Sequence, residues 1–443
     1  MKKNDIFEIE ITGTTDDGDG VGRMDGMAVF VPYALLGEKV RGIIVKVMKS
    51  YAFGKILEVI EPSPYRIKSE CEYFYRCGGC RFWNTEYEKE LEYKTQKVKD
   101  CLTRLGKISA EVKDVIGCSE VRGYRNKGQF PISKDGIGIY AQNSHRVIDM
   151  NRCIIQGDEN PKVLEAVRKW MSEYGASPYD EETGKGLIRH IYTRNGDSGC
   201  VVVIVATGEK IPSSENLVEM LKAEVDGLSG VLLNINNKKT NVVLGKKFVT
   251  LWGSEHIIDS IGDLKFKISP LSFYQVNKKQ TKVLYDKVKE LANLSGKEIV
   301  WDLYCGTGTI GQYLARSAKK VVGIEVVPEA IQNAKENMKL NGIENAEYYC
   351  GTAEEMAPKL KDKKPDVVIL DPPRRGCEES LLKTVARTGA KKIVYVSCKP
   401  STLARDLRIL EDLGYRTEIV QPVDMFPRTP HVETVVLLQR QNT

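Results

Sequence analysis

Apolar and polar positions follow three different rhythms along the chain. Over residues 1–62 the rhythm has period two. Ile6-Phe7-Glu8-Ile9-Glu10-Ile11 alternates, and 28–32, 40–47 and 56–60 repeat the pattern between glycine-rich turns such as Asp17-Gly18-Asp19-Gly20. Short strands at that spacing predict a small closed β-barrel. Over 132–265 many further strand-like runs occur, 201–205 and 231–235 among them, which predicts a central, mostly-β domain over 63–265. One charged amphipathic helix is predicted there over 86–105. It has Leu91, Val98, Leu102 and Leu105 near one stripe and Gly106 as its stop, and it reads as a solvated helix laid on a domain. From 266 onward the pattern becomes strand then helix, repeatedly. Strands are predicted over 298–304, 321–325, 347–350, 366–370, 393–396, 417–425 and 434–438. Helices fall over 281–291, 310–317 and 328–340, the last begun by Pro328 and stopped at Asn341-Gly342. That alternation predicts a Rossmann-like domain built on a parallel sheet. The expected fold class is α/β, in three units: 1–62, 63–265 and 266–443.

Composition changes this picture little. A chain of 443 residues holds two to four domains, and a net charge of +6 permits a nucleic-acid partner without requiring one. The charge is uneven: residues 1–62 carry 8 Lys and Arg against 10 Asp and Glu, whereas 63–130 carry 14 against 10. Any basic surface therefore begins after the first unit. The stretch 121–130, VRGYRNKGQF, interleaves Arg122, Arg125 and Lys127 with Tyr124 and Phe130, a composition suited to phosphate contact and base stacking or to a plain exposed strand. No apolar run approaches the ~18 residues that cross a bilayer, and MKKNDIFEIE has no apolar signal region. A cytoplasmic, monomeric protein with no membrane partner is expected.

Eleven cysteines in a reducing compartment point to metal binding or catalysis. Cys71, Cys77 and Cys80 are spaced C-x5-C-x2-C, and Cys153 is the best fourth ligand. Four thiolates hold zinc or an iron–sulfur cluster. Only one C-x2-C pair is present where zinc ribbons carry two, which favours [4Fe–4S].

The tips of the Rossmann-like strands carry the remaining chemistry. Gly306 and Gly308 lie in a strand-to-helix turn, where a ligand can approach the backbone. Glu325 ends the next strand, where an acid accepts hydrogen bonds from a ribose. The turn is G-x-G and not the full dinucleotide pattern, so S-adenosylmethionine fits better than NAD. Asp371 follows the fourth strand. Cys398 follows the fifth, with Lys399 beside it to favour thiolate.

Five stretches together resemble the RNA uracil-5-methyltransferases: Gln275-Val276-Asn277, Asp302–Gly308 (DLYCGTG), Leu370–Arg374 (LDPPR), Ser397–Pro400 (SCKP) and Asp424–Thr434 (DMFPRTPHVET). The N-terminal barrel resembles that family's TRAM domain, and the cysteine set resembles the [4Fe–4S] site of its ribosomal-RNA members. The resemblance implies adenosylmethionine contacts at Gln275, Tyr304, Glu325 and Asp371, Cys398 as nucleophile and Glu433 as base. Thr309 stands where some members carry Asn and is left unassigned. The tRNA-modifying branch generally lacks barrel and cluster, so the implied partner is 23S rRNA. Uracil C5 is a poor nucleophile until a thiolate adds at C6, and a base must later remove the C5 hydrogen. Two other readings stand beside this one. Asp-Pro-Pro also occurs in amino-methyltransferases, which need no thiol at Cys398, and a non-catalytic RNA-binding factor would need neither Cys398 nor Glu433.

Overall fold

The computed structural model describes residues 1–441. The N-terminal sheet has six strands, in the spatial order Ile6–Glu10, Lys39–Val47, Tyr51–Glu61, Met27–Val31, Gly20–Met24, Gly13–Thr14. Its inward positions Phe7, Ile9, Val29, Val31, Val40 and Ile44 form one small core. The Phe7 ring lies over Gly42 and Gly54, where any Cβ would collide with it. Two strands predicted as loop, Gly13–Thr14 and Gly20–Met24, complete the sheet. Backbone pairing runs in an open order, and Thr12 N–H donates to the Val21 carbonyl at 2.8 Å, which brings the exit of the first strand against Gly20–Met24.

The central sheet has seven strands, and two helices missed by the mostly-β expectation cover it: Glu159–Tyr174 and Ser214–Glu224. Val163, Leu164, Val167 and Trp170 recur at helical spacing and are fully buried against the sheet. The VRGYRNKGQF stretch is not a stacking platform. Tyr124 and Phe130 are buried, the Tyr124 hydroxyl donates to the Pro427 carbonyl at 3.0 Å, and strand Lys127–Ser133 pairs inside the sheet. Rings of that size lower the free energy more in a core than in water.

The C-terminal sheet contains β1 (Ile299–Leu303), β2 (Lys320–Glu325), β3 (Ala346–Cys350), β4 (Val367–Leu370), β5 (Lys392–Ser397), β6 (Tyr415–Val423) and β7 (Glu433–Arg440). Their order is β3-β2-β1-β4-β5-β7-β6, with β7 antiparallel to both neighbours. The helix Pro328–Leu340 has the predicted bounds. The helix expected over 86–105 is an α-helix over Tyr87–Asp100 followed by a π-helical turn, Cys101–Gly106. Leu105 is 62% exposed, off the expected stripe, because that turn rotates it outward. This segment is not a solvated helix on the central unit. Glu111–Val112 just beyond it adds an eighth strand beside β6, so its backbone belongs to the C-terminal sheet.

Candidate active site

The carboxyl ends of β1, β2, β4 and β5 meet the loop before helix Lys278–Ala292. There Gln275, Tyr304, Gly306 and Asp371 line one cavity together with Tyr274, Tyr285 and Asp302. Gly306 and Gly308 both have positive φ, +53° and +79°, as the turn into helix Thr309–Ala315 requires. Tyr304 also lies at φ +62°, in the left-handed region, a strain typical of functional turns. Glu325 accepts backbone N–H bonds from Gly306 at 3.3 Å and from Val326 and Val327 at 2.8 and 3.0 Å, which turns its carboxylate toward the glycine loop.

Two features of the cavity suit a zwitterionic nucleoside. Asp302 is buried, its Oδ2 accepts from Gly311 N–H at 2.9 Å, and its Oδ1 has no partner. Burial pushes Asp302 up to about 7. Asp371 keeps an edge on the cavity but is surrounded closely enough for burial to push it up to about 7 as well. A bound ammonium or sulfonium would relieve both groups. Asp302 was missed in the sequence, although an acid within the apolar run Ile299–Leu303 is a signal in itself.

Cys398 and Glu433 are brought together by sheet register. Ser397 of β5 faces Thr434 of β7, so the next antiparallel step sets Cys398 opposite Glu433. Glu433 is 4% exposed, not a surface carboxylate. Burial, with Asp371 adding to it, pushes Glu433 up to about 8, against the pull of Arg374. Burial and the Glu433 charge push the Cys398 thiol up to about 11, again against Arg374. The cation that acts on this thiol is therefore Arg374, four residues from the end of β4, and not the adjacent Lys399, whose side chain points to solvent.

A buried ion cluster holds the segment that leads into Glu433. Lys94 Nζ, inaccessible to solvent, donates to Glu90 and Asp424 at 2.7 Å each. The Tyr87 hydroxyl donates to Asp424 at 2.7 Å, and Arg428 N–H donates to Glu90 at 2.7 Å. The Arg428 guanidinium donates to the carbonyls of Phe82 and Thr85 at 3.1 and 3.0 Å and stacks on Trp83, 4.7 Å from the ring centre.

Cys71, Cys77, Cys80 and Cys153 are free thiols gathered in two adjoining apolar clusters with Tyr73, Met150, Phe74 and Trp83. Burial pushes Cys80 and Cys153 up, Cys153 to about 12, and neighbouring thiols add to this: Cys153, Cys77 and Cys71 at Cys80, and Cys77 and Cys71 at Cys153. Gly79 N–H donates to Cys77 Sγ at 3.3 Å. Among the described residues, no group of three or more His, Cys, Asp or Glu side chains is set to hold a metal ion. The predicted ligand set is assembled in one region.

A family model described as tRNA (Uracil-5-)-methyltransferase matches residues 86–441, and a TRAM domain model matches 2–57. The chain belongs to the RNA uracil-5-methyltransferase family. It is an adenosylmethionine-dependent RNA methyltransferase with an N-terminal TRAM domain. An uncharacterised RNA methyltransferase of Halalkalibacterium halodurans is 47% identical over 100% of this chain and 98% of its own. One of Clostridium acetobutylicum is 46% identical over 99% and 98%. The crystal structure of Pyrococcus abyssi tRNA (uracil-54, C5)-methyltransferase in complex with S-adenosyl-L-homocysteine superposes with a TM-score of 0.81 at 29% identity, covering 98% of this chain and 100% of that one. Among the described residues no helix is long and apolar enough to cross a membrane.

Proposed function

We propose that the chain forms 5-methyluridine in 23S rRNA, in the cytoplasm, with Cys398 as nucleophile and Glu433 as base. The observation that carries this reading is the β5–β7 register, which sets Cys398 opposite Glu433 beside the cavity that holds Asp371. Gln275, Tyr304, Glu325 and Asp371 hold adenosylmethionine, with Asp302 added to the set. When bound, that cofactor supplies an electrophilic methyl group for uracil C5. The Cys398 sulfur adds to C6 of the flipped uracil, forming an S–C6 bond and pushing the C5=C6 electrons toward O4. Arg374 favours the thiolate that adds. Once C5 carries the methyl group, Glu433 takes the C5 proton, the C5=C6 bond re-forms and the S–C6 bond breaks with its electrons returning to sulfur. A carboxyl raised to about 8 is matched to proton transfer near neutrality.

The four thiols are proposed ligands of a [4Fe–4S] cluster. A single zinc ion needs four sulfurs about 2.3 Å from one point, whereas a cluster spreads its thiolates around a cube. The proposed units are 1–62, 63–265 and 266–443, the second carrying the cysteine region and lending Glu111–Val112 to the sheet of the third. A second substrate reading has its own support. The Pyrococcus abyssi neighbour acts on uracil 54 of tRNA and matches this chain over its whole length, so the barrel and the cysteine region do not by themselves single out ribosomal RNA.

Cys398→Ala is expected to abolish methylation with RNA binding retained; turnover at the wild-type rate refutes covalent addition. Glu433→Gln is expected to accumulate a denaturant-resistant protein–RNA adduct, and a gel without that band removes the base assignment. Mass mapping of 5-methyluridine in ribosomal and transfer RNA from a deletion strain decides the substrate: a site lost from tRNA alone overturns the 23S rRNA reading. Iron analysis of the purified protein tests the cluster, and stoichiometric zinc without iron reverses it.

A further inference from the structure

Three cations meet at the seam between the central sheet and the catalytic domain with no acid to balance them. Lys127 and Arg194 face each other directly across antiparallel strands Lys127–Ser133 and Ile188–Gly196. Like charges in that relation destabilise a sheet. Arg194 is 2% exposed. Its Nη2 donates to the Ser272 carbonyl at 3.0 Å, while its Nε and Nη1 have no partner. Arg125 lies beside them, held by backbone bridges to Gln156 and Asn277. Among the described residues no carboxylate pairs with Arg125, Lys127 or Arg194. Burial pushes Lys127 down to about 8, and the charges of Arg194 and Arg125 push in the same direction. A fold that keeps buried guanidinium donors unsatisfied next to a second and third cation loses stability unless an anion fills the gap.

The position says which anion. Asn126 N–H donates to the Val276 carbonyl at 2.9 Å, and its side chain donates to the Gln275 carbonyl at 3.1 Å, so the cations adjoin the loop that lines the cofactor cavity. We propose that Arg194, Lys127 and Arg125 form a recessed site for a phosphodiester of the substrate RNA, close to the nucleotide presented to Cys398. This rests on the RNA methyltransferase reading and deepens it. Of the VRGYRNKGQF stretch, the cations then serve RNA while the aromatic rings serve the core.

The test uses the full-length protein and a uridine homopolymer 20-mer, with affinity measured against salt concentration. Each phosphate contact removed is expected to lower the log–log slope by about 0.7. Lys127→Met should show that change and several-fold weaker binding, while its thermal midpoint without RNA stays level or rises because a repulsion is relieved. Arg194→Lys should keep most of the slope, and Lys222→Met, on a remote helix, should leave it unchanged. A wild-type slope in Lys127→Met and in Arg125→Met overturns the site, as does a Lys127→Met that melts lower and binds normally. Stabilisation by inorganic phosphate that Lys127→Met removes, with an unaltered RNA slope, also overturns it by showing a free-anion site. Adduct formation in Glu433→Gln separates the two readings: an adduct with unchanged slopes sinks this site alone, and altered slopes without an adduct sink the Glu433 base assignment alone.

Discussion

Two sets of buried carboxylates flank the segment 424–433, and the molecule treats them in opposite ways. Glu90 and Asp424 close on Lys94, with Tyr87 and Arg428 completing the shell. Burial alone would push the Lys94 ammonium down, but Glu90 and Asp424 more than offset this, and it lies above the ordinary lysine value. Asp371 and Glu433 have no such partner, and the cation that acts on Glu433 is Arg374, on an exposed loop. In the first set, burial pushes Glu90 up to about 7 as well, but Lys94 and Arg428 pull against it, and the hydrogen-bonded cluster holds the segment in place. The second is left short of positive charge, which is what a site awaiting a cationic cofactor and a proton requires. The contrast separates a clamp from a centre of chemistry although both are acids in a low-dielectric interior.

The largest expected effect comes from breaking the clamp. Lys94→Met leaves Glu90 and Asp424 buried without their cation and should lower the unfolding free energy by about 3–5 kcal/mol, read from denaturant titrations. A loss under about 1 kcal/mol would show that the cluster is hydrated and the contrast false. The opposite change at the other set should have the opposite sign. Glu433 folded titrates near 8 and unfolded near 4.5, so the folded state holds an extra proton between those values. The contribution of Glu433 to the stability of the protein without its cofactor is therefore greatest below about pH 4.5 and declines as pH rises to about 8, with Asp371 contributing in the same sense from 3.8 to about 7. Glu433→Gln should flatten that decline and be the more stable protein at pH 8, which urea midpoints at pH 5, 6.5 and 8 would reveal. An unchanged pH slope would place Glu433 in water. Adding adenosylmethionine should also reduce the slope in the wild type. The smallest effect is at Arg374. Arg374→Met removes a charge that lowers both Cys398 and Glu433, so the pH midpoint of adduct formation should move upward, by less than about one unit because the guanidinium is exposed and screened.

Much of the catalytic domain was legible. Its strands are buried on both faces, so they read as continuous runs such as Val367–Leu370, and Pro328 with Asn341-Gly342 marks both ends of one helix. The helices over the central sheet are obscured in the sequence because β-branched residues dominate the segments around them, although Val163, Leu164, Val167 and Trp170 recur at a helical period. Tyr124 and Phe130 looked available to RNA because composition does not say which face of a strand meets a neighbour. The clamp was invisible for a plainer reason: Lys94 and Asp424 are 330 positions apart, and in the sequence Lys94 is one lysine among several on a charged helix.

By itself the sequence determined the chemistry on offer: a thiol after a β-branched strand, a glycine turn, acids at strand tips, and the order in which they follow one another. Those are local facts, set by backbone preference and by the types of side chain. Only the tertiary structure decided which groups share an environment. The register of β7 against β5 sets Glu433 opposite Cys398, burial shifts Glu433 toward neutrality, and Lys94 neutralises one set of acids and not the other. Charge in a protein acts through distance and desolvation, and neither is a property of a residue until the chain has folded around it.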